Sequence, residues 1–519
     1  MLTKLKTFTL QGASAYPIEV EVSLTRSEDP YGCDERKDQK VTIVGLADAV
    51  VRESAFRVRV AISNSGFRVP EGNLIVNLAP ADLPKQAASF DHPISLGQLV
   101  ASGQANLNFE DYAIVGELAL DGQTRACRGV LAFARKAKAM GLRGILVPKA
   151  NALEAALVEG IDAIAISSLS EAVGFLSGDL LIEPSPGLIG DEFERLFRYD
   201  IDFAEVHGQE TAKRAMTIAA AGAHNLLMFG PPGAGKTMLA KRLPTILPPP
   251  TLEEALETTE IYSAVGKVAS DTPLIATRPF REPHHSISEP GLVGGGASPT
   301  PGEISLANNG VLFLDELPEF NRKTLEAMRQ PLEDGRAVIT RSNRTEIFPA
   351  KFILIAAMNP CPCGFRNDPR RECRCTPKQI ERYMAKISGP LLDRIDVHIE
   401  TPPVTFAELA STDAQISSAE IREQVMKARA IQAERYADEN IRVNSEMRRK
   451  HLDKWARLTP ECGNLLENAM NEFGFSARAH DKVLRVARTI ADLEGEEKIG
   501  EQHLFEAIGY RTLDRKLWK

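Results

Sequence analysis

No apolar run in this chain of 519 residues approaches the ~20 residues that a membrane-spanning helix needs. The opening Met1-Leu2-Thr3-Lys4-Leu5-Lys6 lacks the apolar centre of a secretory leader, so a cytoplasmic protein without membrane segments is expected. An excess of positive charge is missing as well. Lys and Arg number 62 against 70 Asp and Glu, a formal net charge of −8, so bulk electrostatics does not point to nucleic acid and any such contact must come from local basic loops. Cysteine is scarce. The total of 7 is odd, and four of them fall between positions 361 and 375, which argues against a secreted disulfide framework and for a local metal site. The rest is ordinary soluble composition, 43% apolar and 25% charged, enough for two or three domains with full cores.

The densest chemical signal is Gly230-Pro231-Pro232-Gly233-Ala234-Gly235-Lys236-Thr237. It follows the apolar run Leu226 to Phe229 and precedes Met238 to Leu243 at helical spacing, the strand, phosphate loop and helix order of a nucleoside triphosphate site. Pro231 and Pro232 have no N–H to offer. The anion cradle must therefore come from the amides of Gly233, Ala234, Gly235, Lys236 and Thr237 at a helix N-terminus. Lys236 is expected to reach the outer phosphates of ATP, and the Thr237 hydroxyl to ligate magnesium.

A second apolar run, Val311 to Leu314, ends in Asp315-Glu316, which places two carboxylates at the C-terminal end of a buried strand, where open α/β sheets bind ligands. Asp315 is expected to hold the magnesium through water and Glu316 to polarise the attacking water as general base. Taken alone, the pair is also the composition of a helix N-cap with an acidic first turn. A third run, Lys351 to Met358, ends at Asn359, an amide able to orient that water against the γ-phosphate. Arg394, in Ser388 to Arg394, and Arg478, in Ser476-Ala477-Arg478, complete the order of an AAA+ ATPase core. An arginine at the γ-phosphate stabilises charge developing in the transition state; an Arg394 in that role would serve a neighbouring subunit and require a ring or other oligomer. Taken singly, each arginine reads as a surface salt bridge.

Residues 1–183 alternate β-like runs (Val41 to Val44, Leu74 to Leu78, Ala113 to Leu118, Gly144 to Val147) with a helix from Gly129 to Met140, an α/β or α+β domain. Glu183 to Gly187 mark a linker over 184–201. Residues 202–402 carry the nucleotide motifs. Beyond Pro402-Pro403, residues 403–519 are rich in Ala, Glu, Arg, Lys and Leu at helical spacing and read as a helical lid. Gly291 to Ser305 holds Gly294-Gly295-Gly296, but no lysine follows and no helix begins; it reads as a pore or substrate loop, or as a plain connection. In Gly335 to Pro349, two β-prone runs, Ala337 to Thr340 and Thr345 to Phe348, flank Arg341-Ser342-Asn343-Arg344. That is a hairpin whose basic tip suits a finger gripping phosphate backbone, and equally any solvated turn.

Cys361-Pro362-Cys363 and Cys373-Arg374-Cys375 follow directly after Asn359 and offer four thiolates for a tetrahedral zinc shell. The one-residue spacing within each pair is shorter than usual, which keeps reduced thiols or a redox-labile pair as alternatives. His284-His285 sits in a Pro-bounded loop with no third ligand evident, and reads as a polar network or substrate contact.

Taken in order, Val206 to Gln209, the phosphate loop, Arg278 to His285, Pro301 to Phe320, Asn359 to Gly364, Ser388 to Asp396 and Leu484 to Leu493 resemble the ComM/YifB group of magnesium-chelatase-like AAA+ ATPases over nearly the whole chain. The resemblance implies an α/β AAA+ core with a parallel sheet and helical lid, ATP and magnesium as cofactors, a hairpin before the sensor strand, and a homo-oligomeric ring, a hexamer. It also implies ATP-driven helicase or branch-migration activity on DNA in natural transformation. Asn308 stands where the group is expected to carry His. The N-terminal region resembles a Lon-type protease domain, from Gly116 to Leu118 through Pro148 to Asn151. There an alanine falls near the nucleophile position, Ser89 is displaced from it, and Phe133 replaces the lysine base, so no peptidase activity is expected. Two other classes compete. The ATPase subunit of magnesium chelatase shares this core and drives metal insertion into a porphyrin, but is not expected to carry the Lon-like domain or the cysteine array. A regulatory scaffold would have no need of Glu316 and Arg394.

Overall fold

The computed structural model describes residues 2–25, 40–85, 88–187, 192–296, 299–341, 344–366, 371–406, 408 and 415–511. The chain divides into two compact units: Met1–Leu196 with Leu252–Ala276 and Ser298–Thr300, and Phe197–Thr251 with Thr277–Ala297 and Pro301–Lys519.

The first unit is built on a seven-stranded sheet. Its first two strands, Leu2–Gln11 and Ser14–Thr25, form a long antiparallel pair whose inward residues Leu5, Ile18, Val20 and Val22 enter the core. These strands are not among the runs read from the sequence. Lys40–Val44 and Asn73–Ala79 lie on one side of the pair, and Tyr112–Ile114, Gly144–Pro148 and Asp162–Ile166 extend the other side in parallel. The run expected from Ala113 to Leu118 divides into Tyr112–Ile114 and Glu117–Leu118, and the expected helix occupies Val130–Ala139. Helix Asp91–Ala101 is buried along its whole length, as an element covered by the sheet and neighbouring helices must be. A short helix, Glu192–Leu196, interrupts the stretch read as linker.

Leu252–Ala276 lies inside the 202–402 stretch in sequence, yet packs with the first unit. Arg135 Nη1 donates to Glu260 Oε2 at 2.6 Å, and the Gly129 amide donates to Ser263 Oγ at 3.0 Å. The polar pattern of helix Leu252–Ala264 does not announce this placement; its partners are far away along the chain.

The second unit carries a parallel five-stranded sheet in the order Phe280–Arg281, Val311–Leu314, Ile353–Met358, Leu226–Phe229, Val397–Glu400. The three central strands are buried at every position, as parallel strands covered on both faces require. The C-terminal helices Ser418–Arg435, Pro460–Phe473, Ala477–Glu494 and Glu501–Gly509 share one hydrophobic core with this sheet, in which Leu226, Met228, Phe313 and Ile355 meet Val425, Val483 and Leu504. The basic hairpin pairs Arg336–Arg341 with Arg344–Pro349, one residue longer on each side than the β-prone runs. Ser342 and Asn343, and the side chains of Arg341 and Arg344, lie outside the described residues. In the glycine-rich loop a four-residue helix, Glu303–Leu306, does begin, where the sequence predicts none. No lysine opens it.

Candidate ATP site

Strand register brings the site residues together. Phe229 pairs with Met358 and Leu314 with Ala356, so the phosphate loop, Asp315 and Asn359 leave the same edge of the sheet. Gly230 is required by close approach: a Cβ there would lie 2.2 Å from the Thr401 carbonyl oxygen. Gly235, at φ +82, turns the chain through the left-handed region into helix Lys236–Ile246, whose first amides face the loop. Gln209 braces the loop from behind, donating to the carbonyls of Ala234 at 3.3 Å and Pro402 at 2.6 Å.

Lys236 is buried, and its Nζ donates to the carbonyls of Gly230 at 2.6 Å and Pro231 at 2.9 Å and to Asn359 Oδ1 at 3.2 Å. Burial lowers its pKa to about 8, against the opposing pull of Asp315 and Glu316. Thr237 Oγ1 donates to Asp315 Oδ2 at 3.0 Å, so the two proposed magnesium ligands are already adjacent. A hydroxyl and a carboxylate at that separation are hard oxygen donors of the kind magnesium takes. Glu316 follows at φ +52, an uncommon conformation for a residue with a side chain, which turns it away from the line of the strand. Its Oε2 lies 3.6 Å from Nδ1 of His285.

That histidine belongs to the pair read as a polar network or substrate contact. The two rings are 4.0 Å apart, and His284 Nδ1 bonds Ser286 Oγ at 2.8 Å. No local motif announces that His285 meets Glu316; parallel pairing of Phe280–Arg281 with Val311–Leu312 creates the contact. Asn308 also acquires a place: it is fully buried, and its Oδ1 accepts from the Lys351 amide at 2.8 Å, just before the central strand Ile353–Met358.

The two arginines stand elsewhere in the unit. Arg394 is 11% exposed and is engaged by the Glu333 carboxylate and, at 2.5 Å, by the Pro390 carbonyl. Arg478, 69% exposed, lies in the first turn of helix Ala477–Glu494 and meets Asp393 Oδ2 at 3.2 Å. The four sulfurs of Cys361, Cys363, Cys373 and Cys375 fall within 4.8 Å of one another, and the cysteines are free thiols. Within this group the Phe365 amide holds the Cys363 thiol down to about 6, whereas burial pushes Cys361 up to about 12. In the first unit, Phe133 stacks on Phe8 with ring centroids 5.7 Å apart, Ser89 is buried, and Lys85 Nζ is turned onto the Pro80 carbonyl. Among the described residues no helix is long and apolar enough to cross a membrane.

Three family models match successive stretches of the chain. Residues 202–409 match the model described as magnesium chelatase, subunit ChlI, and 415–511 match the C-terminal model of that subunit; 34–151 match a model described as subunit ChlI of Mg-chelatase. Competence protein ComM of Haemophilus influenzae is 44% identical over 514 residues, 98% of this chain and 97% of that protein. The uncharacterised protein YifB of Escherichia coli is 42% identical over 509 residues, 98% and 96% of the two chains. The magnesium-chelatase 38 kDa subunit of Cereibacter sphaeroides is 23% identical over 334 residues, 61% of this chain and 91% of the subunit. With near full-length identity above 40% to two of these proteins, the chain belongs to the ComM/YifB family of magnesium-chelatase-like AAA+ ATPases.

Proposed function

We propose that this protein is an ATP-hydrolysing, ring-forming motor that moves DNA, by helicase action or branch migration, in uptake and recombination during natural transformation. The observation that carries the hydrolytic part is the meeting of Lys236, Thr237, Asp315 and Asn359 at one sheet edge. In this reading the amides of Gly233 to Thr237 and Lys236 hold the phosphates of ATP, and Thr237 and Asp315 hold magnesium. Glu316 activates water, Asn359 orients it, and Arg394 and Arg478 act on the γ-phosphate, Arg394 in the neighbouring subunit of a hexamer. Magnesium held by Thr237 and Asp315 would supply positive charge against the charge developing on the phosphates. The cysteine array takes a structural zinc, the protein works in the cytoplasm, and the first unit, with Phe133 where a base would be needed, cleaves no peptides.

The DNA reading is supported by the relation to competence protein ComM and by the two arginines flanking the hairpin turn. The chelatase reading is favoured by the three subunit ChlI matches, but the chelatase relative reaches 23% identity over 61% of this chain, against 44% over 98% for ComM. The deciding experiment is the ATPase rate with and without single-stranded or branched DNA. Stimulation by DNA together with salt-dependent binding is expected; their joint absence overturns the DNA reading and leaves the ATPase.

A further inference from the structure

The cysteine array lies against the ATP pocket. Cys361 Sγ is 3.3 Å from that of Cys363 and 3.6 Å from that of Cys373, and Cys363 to Cys373 is 3.6 Å. A tetrahedral thiolate shell with zinc–sulfur bonds of ~2.3 Å has edges of ~3.8 Å, so the thiols already have the shape of a metal site.

Three connections tie that shell to the nucleotide machinery. Cys361 is buried and separated from Asn359 by Pro360 alone, and Asn359 Oδ1 accepts from Lys236 Nζ at 3.2 Å. Beyond Cys363, Gly364 at φ +82 presses on the phosphate loop: a Cβ there would lie 2.6 Å from Pro232 Cδ. Beyond Cys375, Thr376 caps helix Pro377–Met384, which carries the buried Tyr383, whose phenol lies against the Asn359 backbone. The loop therefore leaves the sensor strand, touches the phosphate loop, and returns to the sensor residue.

We infer that a zinc ion in the Cys361, Cys363, Cys373 and Cys375 site fixes Asn359 and Pro232 in place, so that metal occupancy governs the rate of ATP hydrolysis and not folding alone. This rests on the ATPase and zinc readings above. Removing the metal leaves four crowded sulfurs with nothing to hold them together, and the residues next to the ligands shift with them. A displacement of ~1 Å near a reacting centre can cost ~10²-fold in rate.

The test uses the full chain purified without chelator. About one zinc per chain is expected in the wild type and none in the Cys373→Ser/Cys375→Ser variant, whose changes spare Asn359 and the phosphate loop. The variant's kcat should fall roughly 10-fold or more, a larger change than that in its affinity for a fluorescent ATP analogue. Zinc far below one equivalent in the wild type overturns the metal site. Zinc present in the wild type and lost in the variant with kcat unchanged overturns the coupling and leaves a structural zinc. A zinc-loaded wild type that never turns over ATP overturns the ATPase reading instead.

Should the double variant fail to fold, wild type carrying cobalt(II) in place of zinc gives an independent measurement. Its thiolate absorption bands should shift when a non-hydrolysable ATP analogue binds, and an identical spectrum overturns the coupling. Gly364→Ala keeps all four thiols and should retain zinc while impairing ATP turnover; wild-type kinetics would remove the Pro232 contact from the argument.

Discussion

Lys236 turns its ammonium onto the carbonyls of its own loop and onto Asn359, so an incoming triphosphate takes over a cation already held in the pocket. Lys236→Ala should weaken ATP binding by at least ~10-fold, since a hydrogen bond to a charged group contributes roughly 1.5–3 kcal/mol, as equilibrium titration will show. Glu316→Gln keeps the size of the side chain and removes the base. ATP should still bind, with turnover reduced by about 10²–10⁴-fold in a single-turnover assay, and normal turnover would remove Glu316 from its role. These residues were legible because each stands at the end of an apolar strand or in the loop just beyond one. His285 was not, since its contact with Glu316 depends on a strand pairing between segments far apart in the chain.

Helix Ala477–Glu494 shows what an element adds. Its amphipathic spacing is visible in the sequence, whereas its buried charges acquire meaning only from their partners. Lys482 Nζ meets Asp396 Oδ1 at 3.1 Å and donates to the Ile395 carbonyl at 2.9 Å, while Thr489 Oγ1 bonds His224 Nε2 at 2.8 Å. The helix thereby grips the segment that carries Arg394. Burial opposes ionisation of Asp396, yet Lys482, His224 and Arg485 hold its carboxyl well below the usual carboxylate range. A group with a depressed folded pKa contributes stability that is fully present above its unfolded value and lost as pH falls through the folded one. Asp396→Asn should therefore destabilise this unit by ~3–5 kcal/mol at neutral pH, leaving Lys482 buried without its counter-ion. In denaturant melts the gap to wild type should hold from about pH 7, below the pKa of about 8 to which burial lowers Lys482, down to about 5, and on the acid side close only below the ordinary carboxylate range, near 3.8. At the hairpin, replacing Arg341 and Arg344 by Gln should abolish the DNA-dependent increment in ATPase rate. It should also reduce the slope of log affinity against log salt by roughly 1–2, the loss of two phosphate contacts.

At the scale of the whole molecule, the site within one chain is incomplete in the proposed reading. Arg394 rests on Glu333 and Pro390, 11% exposed, and must exchange these partners to reach a nucleotide across a subunit boundary. Arg394→Ala alone should bind ATP and turn it over poorly. Mixed with Lys236→Ala it should regain activity, because one variant supplies the intact pocket and the other the intact arginine. No recovery on mixing would place the action of Arg394 within its own subunit. The organisation into units was also only partly legible: Leu252–Ala276 belongs with the first 196 residues although the nucleotide motifs surround it in sequence, and the helical stretch after 415 shares its core with the sheet.

Sequence by itself determined the chemistry of the phosphate loop, the carboxylates and amide that follow the apolar strands, and the family, because each of these is written in a few consecutive residues. Tertiary structure decided which distant groups meet: His285 with Glu316, Asn308 with the Lys351 amide, Lys482 with Asp396, and the cysteine loop with Pro232. The reason is physical. Local motifs are fixed by chain geometry over a turn or a strand, whereas these contacts arise from the register of a parallel sheet, whose neighbouring strands are separated in sequence by whole crossover segments, and, for Lys482, from a helix packed beside that sheet.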